Sequence, residues 1–214
     1  MVKVFRFDGD TREFSANTYV IGKIGHNCIV VDLGTTSDDV YDYVSSQYEG
    51  VAAILLTHAH YDHIRGVSSF LKKLKKPAPV FLSPADIELL SHPELNCSKR
   101  NGENVTGSFQ VVTFRDQEFL PINNIRVQVI ATPFHTRGSV CYLFPDENAL
   151  FTGDTLFAGS IGKVETPTGN PMQVNASLGK LQGLSDTLVV YPGHGAITRL
   201  GTEKETNPFM IALK

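Results

Sequence analysis

Short apolar and β-branched runs recur along the whole chain and alternate with segments of helical periodicity, which restricts the fold to one that combines sheets with helices. Ten of these runs are predicted to be strands: Val2–Phe7, Thr18–Ile21, Cys28–Leu33, Val51–Thr57, Pro79–Leu82, Phe109–Phe114, Ile125–Thr132, Ser139–Phe144, Ala149–Thr152 and Thr187–Tyr191. Their mixed order predicts an α/β or α+β fold with enough strands for two sheets. Because no low-complexity linker or internal repeat interrupts the pattern, we expect a single domain over residues 1–214.

Four helices are predicted from capping residues and apolar spacing. Ser37, followed by two aspartates, begins the first, and an apolar stripe from Val67 to Leu74 marks the second. Ser83 and Asn170 each precede a proline, which is typical of a helix start, so they open the third and fourth. The fourth carries the apolar residues Met172, Leu178 and Leu181.

Composition and charge exclude several classes of protein. The chain has 214 residues, 42% of them hydrophobic, and a net charge of -3, which suits a globular core and argues against nucleic acid as a partner. The longest purely apolar run, Val51–Leu56, is far shorter than the roughly 20 residues that a membrane helix needs. Charged residues interrupt the N-terminus, so we expect no signal peptide and a cytoplasmic location. Three widely spaced cysteines indicate reduced thiols, and Cys141 lies within an apolar strand.

Three histidines and an aspartate occur within six residues, in the run from His58 to His63, directly after a predicted strand. Residues two apart in an extended turn point the same way, so His58 and His60 can face one ion. Asp62 and His63 begin the next helix and can face a neighbouring ion. Neutral imidazole and carboxylate are the groups by which proteins bind zinc, iron or manganese. The run therefore predicts a metal site.

Further candidate ligands follow other strands. His135, Asp154 and His194 each come shortly after a predicted strand, and the carboxyl ends of strands are where α/β folds place their sites. The remaining histidines, His26 and His92, have no such position and are predicted to be ordinary surface or hydrogen-bonded side chains.

Four motifs in this order resemble the metallo-β-lactamase superfamily, over almost the whole chain: Thr57–Gly66 (THAHYDHIRG), Thr132–Ser139 (TPFHTRGS), Thr152–Phe157 (TGDTLF) and Tyr191–Gly195 (YPGHG). The resemblance implies a four-layer αβ/βα sandwich with a dinuclear metal site at one edge, between the sheets. It implies that one ion is held by His58, His60 and His135, the other by Asp62, His63 and His194, and that Asp154 bridges both. A bridging aspartate in place of cysteine points away from antibiotic hydrolysis.

Within that superfamily the chain is similar to the short bacterial-type members of the glyoxalase II group, the hydroxyacylglutathione hydrolases. This similarity rests on the segment Gly153–Lys163 (GDTLFAGSIGK). In that segment, Lys163 matches a basic residue that in this group contacts the glutathione part of the substrate. Two positions depart from the group. Phe134 stands where glycine is common and is expected to narrow the site or press on the backbone of His135. Glu165 replaces a tyrosine near glutathione, where a carboxylate would repel the acidic glutathione ends unless it is paired.

The predicted chemistry is hydrolysis of a small-molecule thioester, S-D-lactoylglutathione or a related acyl-glutathione. Two divalent ions, zinc or alternatively iron or manganese, would lower the pKa of a bridging water from ~16 towards ~7 and so supply a hydroxide. A thiolate leaving group, whose conjugate acid has a pKa near ~8.5, needs little help from an acid. Asp62 is the expected catalytic residue, orienting the hydroxide, and Asp32 either supports the site or begins a helix.

Other activities stay open at the level of sequence. A persulfide dioxygenase resembles the same scaffold but uses one iron, held by His58, His135 and Asp154. A lactonase or another ester hydrolase is compatible with the same ligands. Serine hydrolase and P-loop templates are poorly supported, because the chain lacks a GxSxG elbow and a Walker motif.

Overall fold

Two sheets form the centre of the protein, seen in a computed structural model that describes residues 2–9, 15–122 and 124–213. The first sheet has the order β1-β2-β3-β4-β5-β6, antiparallel from β1 to β3 and parallel from β3 onward. Its strands are β1 (Lys3–Phe7), β2 (Thr18–Gly22), β3 (Asn27–Val31), β4 (Gly50–Leu55), β5 (Val80–Phe81) and β6 (Val111–Val112).

The second sheet comes from the second half of the chain and has the order β11-β10-β9-β8-β7. Its strands are β7 (Gln128–Ala131), β8 (Val140–Phe144), β9 (Ala149–Gly153), β10 (Val189–Pro192) and β11 (Thr198–Arg199). Strand β8 is antiparallel to both β7 and β9, and β10 is parallel to β9. Strands β7, β9 and β10 therefore run in one direction, and their carboxyl ends share one edge of the sheet.

Apolar side chains between and outside the sheets create four layers. Ile29 and Leu55 from the first sheet pack with Val129 and Tyr142 from the second in a central core. A second core lies between the first sheet and the helices α1 (Asp39–Gln47) and α3 (Val67–Lys73). A third core lies between the second sheet and the helices α4 (Val174–Gln182), α5 (Leu200–Thr206) and α6 (Pro208–Ile211). The expected four-layer αβ/βα sandwich is confirmed.

The two sheets are joined by direct hydrogen bonds near the edge where these carboxyl ends lie. The backbone N–H of Val140 donates to the Thr57 carbonyl at 2.9 Å, which joins the sheets directly. Tyr142 donates its hydroxyl to the Leu56 carbonyl at 2.8 Å. At Gly153 a Cβ would lie 2.3 Å from Oγ1 of Thr57, so only glycine permits this approach.

All ten predicted strands are present, several of them shorter than predicted. The predicted helix after Ser83 is a 3-10 helix, Pro84–Ser91, and Asn170 caps a 3-10 turn that leads into α4. Of the three apolar residues that this segment carries, Leu178 and Leu181 are buried, whereas Met172 is 85% exposed. Strand β11, α5 and α6 were not predicted, because β11 and α6 have only two and four residues and α5 has a single apolar residue, Leu200, and so no apolar stripe. No helix in the described ranges is long and apolar enough to cross a membrane.

Candidate metal centre

All seven predicted ligands lie at the edge where the sheets meet. Strand β4 leads through Thr57 into His58 and His60, and the short helix α2 (Tyr61–Ile64) carries Asp62 and His63. The other three ligands follow β7, β9 and β10 and are His135, Asp154 and His194. A loop after each strand can carry a polar side chain that would be costly within a strand buried on both faces.

Three imidazoles form the first cluster. The Nδ1 atom of His60 lies 3.1 Å from Nε2 of His58 and 2.9 Å from Nε2 of His135. All three side chains are buried, and the three atoms converge on one point. Three convergent imidazole nitrogens are a donor set that divalent transition metals take from proteins.

Two imidazoles and a carboxylate form the second cluster. The Oδ2 atom of Asp62 lies 3.1 Å from Nε2 of His194 and 3.8 Å from Nε2 of His63. His63 is fully buried, whereas His194 remains partly accessible at the cleft. This cluster offers a mixed nitrogen and oxygen donor set.

Asp154 lies between the two clusters, with one carboxylate oxygen towards each. Its Oδ2 atom is 3.3 Å from Nε2 of His135, and its Oδ1 atom is 3.4 Å from Nε2 of His63. The close approach depends on Gly193, where a Cβ would lie 2.3 Å from Oδ1 of Asp154. The structure thus brings the seven residues together in two adjacent groups that share one aspartate.

The residues fit a pair of cations. Among the described residues, Nε2 of His63 and Oδ1 of Asp154 are buried without a hydrogen-bond partner, although both face the second cluster. Buried polar atoms without a partner are costly, and a cation in the cluster would satisfy both. The ligand roles of the seven residues stay predictions.

Burial and mutual charge set the protonation of the cluster. Burial lowers the pKa of His58 well below its ordinary value and that of His60 to about 3, so both are neutral. Burial alone would raise the pKa of Asp154, but the neighbouring His194, His135 and His63 outweigh it and hold that pKa well below its usual range. These groups are therefore in the forms that bind a cation.

His63 and His194 have the opposite shift. Burial disfavours the charged form of His63, but the carboxylates of Asp32, Asp62 and Asp154 outweigh it and raise its pKa well above the ordinary value. Similarly, Asp154 and a hydrogen bond to Asp62 raise the pKa of His194 against the effect of burial. A cation that binds the second cluster would therefore displace protons from these rings.

Hydrogen bonds to the outer sides of the rings orient them. Asp32, which has a left-handed backbone (φ 53°), accepts from Nδ1 of His63 at 2.8 Å and from the backbone and hydroxyl of Thr57. Of the two roles considered for Asp32, support of the site is the one that the structure shows. The Lys163 carbonyl accepts from Nδ1 of His135 at 2.7 Å. Such partners leave the other ring nitrogen facing the cluster.

Asp86 is a supporting residue that the sequence did not reveal. It is fully buried and accepts hydrogen bonds from the backbone of Ala59 at 3.0 Å, from the hydroxyl of Thr136 at 2.8 Å and from the backbone of Gly138 at 2.8 Å. It thereby joins the turn of His58 and His60 to the turn of His135. The proline before it indicated only a helix start, and nothing local shows a carboxylate reaching two distant turns.

Phe134 does not narrow the site, so that expectation is wrong, whereas its expected pressure on the backbone of His135 stays a prediction. Its ring is fully buried in the third core, with Leu178 and Leu181, and does not line the cleft. Cys141 is fully buried and belongs to the same core, as predicted, and burial raises the pKa of its thiol to about 11.

A cleft of about 840 Å³ opens in front of the clusters. Its walls include Lys163, whose contact with a substrate stays a prediction, and Glu165. They also include Cys97 and Arg100, which lie in the loop 92–108 between the 3-10 helix Pro84–Ser91 and β6. That loop contains a 3-10 turn, Lys99–Asn101, and fully buried polar side chains.

Comparisons with known proteins agree with this geometry. A family model described as the metallo-beta-lactamase superfamily matches residues 11–194. An uncharacterized Mycobacterium leprae protein is 34% identical over 207 residues, covering 92% of this chain and 94% of the relative. The hydroxyacylglutathione hydrolase GloC of Haemophilus influenzae is 27% identical over 200 residues, covering 92% of this chain and 93% of the relative.

Solved structures are similar over nearly the whole chain. BLEG-1, described as a B3 metallo-beta-lactamase, has a TM-score of 0.88 at 30% identity and covers 97% of this chain and 99% of its own. TTHA1623, solved in a di-iron-bound form, has a TM-score of 0.83 at 30% identity, and the match covers 96% of this chain and 99% of TTHA1623.

Proposed function

This chain belongs to the metallo-beta-lactamase superfamily, and from that membership we propose that it is a metal-dependent hydrolase of thioesters. The substrate we propose is S-D-lactoylglutathione or a related acyl-glutathione. The relation to a hydroxyacylglutathione hydrolase over more than nine-tenths of both chains supports this choice, as does the position of Lys163 on the cleft wall.

The position of Asp154 carries the proposal. A carboxylate with one oxygen towards three imidazoles and the other towards a second donor set is an arrangement for two ions. When bound, two divalent ions supply a water of lowered pKa and polarise a carbonyl oxygen. Zinc is the ion we propose; iron and manganese take the same ligands, and TTHA1623 is a similar structure in a di-iron-bound form.

The residues around the clusters have separate roles in this reaction. Asp62 lines the cleft and carries a carboxylate of lowered pKa, because the charge of His63 and the hydrogen bond from His194 outweigh its burial. An ionised carboxylate there can accept a hydrogen bond from the attacking water and orient it. Lys163 presents its ammonium group to the thiol half of the substrate. A thiolate can leave without a proton donor, because its conjugate acid has a pKa of ~8.5.

The test is thiol release from S-D-lactoylglutathione by purified protein, with the metal counted in the same sample. Fast release with about two metals per chain is the expected result. No release with two metals per chain would contradict the thioester assignment; β-lactams, in view of the similarity to BLEG-1, and lactones would then be tried. No release with one iron per chain, together with oxygen uptake on glutathione persulfide, would replace hydrolysis by the dioxygenase reaction.

A further inference from the structure

The segment from Gly162 to Thr166 is held rigidly beside the candidate metal centre. The backbone N–H of Gly162 donates to the Asp154 carbonyl at 3.1 Å, and the ring of His135 donates to the Lys163 carbonyl at 2.7 Å. The hydroxyl of Thr166 donates to the His135 carbonyl at 2.5 Å. Because three bonds join this short segment to two predicted ligands, its backbone has a defined position relative to the candidate metal centre.

Alternation along this segment places two opposite charges in the cleft. Val164 packs against the third core, whereas its neighbours Lys163 and Glu165 are exposed and both line the cleft. Among the described residues, neither charged side chain has a hydrogen bond or an ion pair. An ammonium and a carboxylate, carried two residues apart on one wall of the cleft, are therefore available to bind groups of a substrate.

A third free charge lies on a different wall. Arg100 lines the cleft from the 3-10 turn Lys99–Asn101, and its guanidinium has no hydrogen bond or ion pair to a described residue. The turn is anchored, because the buried side chain of Asn96 donates to the carbonyls of Leu89 and Val105 at 3.0 and 2.9 Å. The Asn96 carbonyl in turn accepts from the backbone of Tyr61 at 3.0 Å.

These are the charges that a zwitterionic thiol requires. Apart from the seven predicted ligands, Lys163, Glu165 and Arg100 are the charged residues among the described residues that line the cleft. We propose that Lys163 and Glu165 together bind an α-amino-acid head group, its carboxylate on Lys163 and its ammonium on Glu165, and that Arg100 binds a second carboxylate. This inference rests on the proposed function and deepens it, since a γ-glutamyl tripeptide thiol carries two carboxylates and one ammonium.

The inference reverses the expected role of Glu165. A carboxylate that only repels an acidic substrate would weaken binding, so its removal would lower KM. A carboxylate that pairs with the ammonium group strengthens binding, so its removal raises KM. The two accounts therefore predict changes of KM in opposite directions when the Glu165 carboxylate is removed.

The experiment compares three thioesters on the metal-loaded enzyme: S-D-lactoylglutathione, its N-acetyl derivative, and its glycine ethyl ester. For the unmodified substrate we expect Glu165→Gln and Arg100→Gln each to raise KM roughly threefold to fivefold, the range for accessible ion pairs. N-acetylation should raise KM in the parent enzyme but not further in Glu165→Gln. Esterification of the glycine carboxylate should raise KM in the parent enzyme but not further in Arg100→Gln. The matched controls are Glu205→Gln and Arg115→Gln, both exposed and outside the cleft.

Binding of S-methylglutathione, measured by calorimetry, separates the inference from the proposed reaction. Weaker binding to Glu165→Gln than to the parent enzyme, without any hydrolysis of the thioester, would remove the proposed function and keep the head-group site. An unchanged or lowered KM in Glu165→Gln, with hydrolysis intact, would overturn the head-group site and keep the function. No binding of S-methylglutathione by the parent enzyme would also overturn the site. An N-acetyl penalty that persists in Glu165→Gln would assign the ammonium group to another residue.

Discussion

At the scale of the residue, Asp154 is the side chain that directs one carboxylate oxygen towards each of the two clusters. We expect Asp154→Ala to bind at most one metal per chain and its hydrolytic rate to fall by more than about 100-fold. Loss of a residue that only orients a metal ligand already lowers metal affinity or activity by about 10- to 100-fold. Metal analysis and thiol release measure both effects. Asp146→Ala, which removes an exposed carboxylate paired with Arg126, is the control and should retain two metals. Two tightly bound metals in Asp154→Ala would contradict the bridging role.

Lys163 acts at the same scale, but on the substrate. Its ammonium group is exposed and unpaired among the described residues, so Lys163→Ala removes binding that is equal in the ground state and the transition state. We expect KM for S-D-lactoylglutathione to rise about fivefold with kcat unchanged. Steady-state kinetics measures the two separately. An unchanged KM would remove the substrate contact assigned to this lysine.

At the scale of the element, the ends of β4 and β7 are joined through Asp86. In Asp86→Asn one side of the carboxylate becomes an NH₂ group that faces an N–H or O–H donor, so at least one of its bonds to Ala59, Thr136 and Gly138 is lost. We expect a loss of about 1–3 kcal/mol in the free energy of unfolding. We also expect metal affinity to fall roughly 10-fold or more.

Denaturant unfolding of the metal-free chain and competition with a chelator measure the two effects of Asp86→Asn separately. The visible spectrum of the Co²⁺-loaded variant reports the ligand geometry directly. A fall in stability with unchanged metal affinity and spectrum would show that Asp86 supports only the fold.

Helix α4 is joined to β7 by a surface carboxylate, Asp116. It accepts from the Ala131 backbone at 2.7 Å and from the Lys180 ammonium at 2.9 Å, and these donors outweigh partial burial and lower its pKa. A carboxyl with a lowered folded-state pKa stabilises the protein above its unfolded pKa of ~3.9 and loses that contribution as the pH falls through the folded value. Asp116→Asn should therefore cost less than about 1 kcal/mol at neutral pH and nothing well below the folded-state pKa. Urea unfolding at several pH values measures this difference, and a cost independent of pH would contradict it.

At the scale of the whole molecule, the candidate metal centre joins the two sheets, so its ions should stabilise the complete fold. Ions at about 1,000 times their dissociation constant add ~4 kcal/mol, and each kcal/mol shifts the Tm of a chain this long by about 2–4 °C. Chelation should therefore lower the Tm by roughly 8–16 °C. Calorimetry with and without chelator measures the shift. Chelation should lower the Tm of Asp154→Ala by less than that of the parent protein. An unchanged Tm of the parent protein on chelation would contradict the dinuclear site.

Much of this molecule could be predicted from local sequence. The ten strands follow from runs of apolar and β-branched residues, because a strand's side-chain pattern is set within a few residues. The clustering of His58, His60, Asp62 and His63 is also local. That His135, Asp154 and His194 join them at the same edge follows from their place after strands, although the division into two ligand sets came from a family resemblance and not from spacing.

Other features were decided only by the tertiary structure. The 2.9 Å approach of His60 to His135, the reach of Asp86 to two turns, and the position of Arg100 on the cleft wall join segments far apart in the chain. The inward direction of Phe134 likewise depends on the helices that pack over it. The sequence by itself determined the strands and the chemical groups at their ends, because these depend on neighbours along the chain. Which groups meet was decided by the closure of two sheets around a shared core, because that closure sets distances that no local pattern contains.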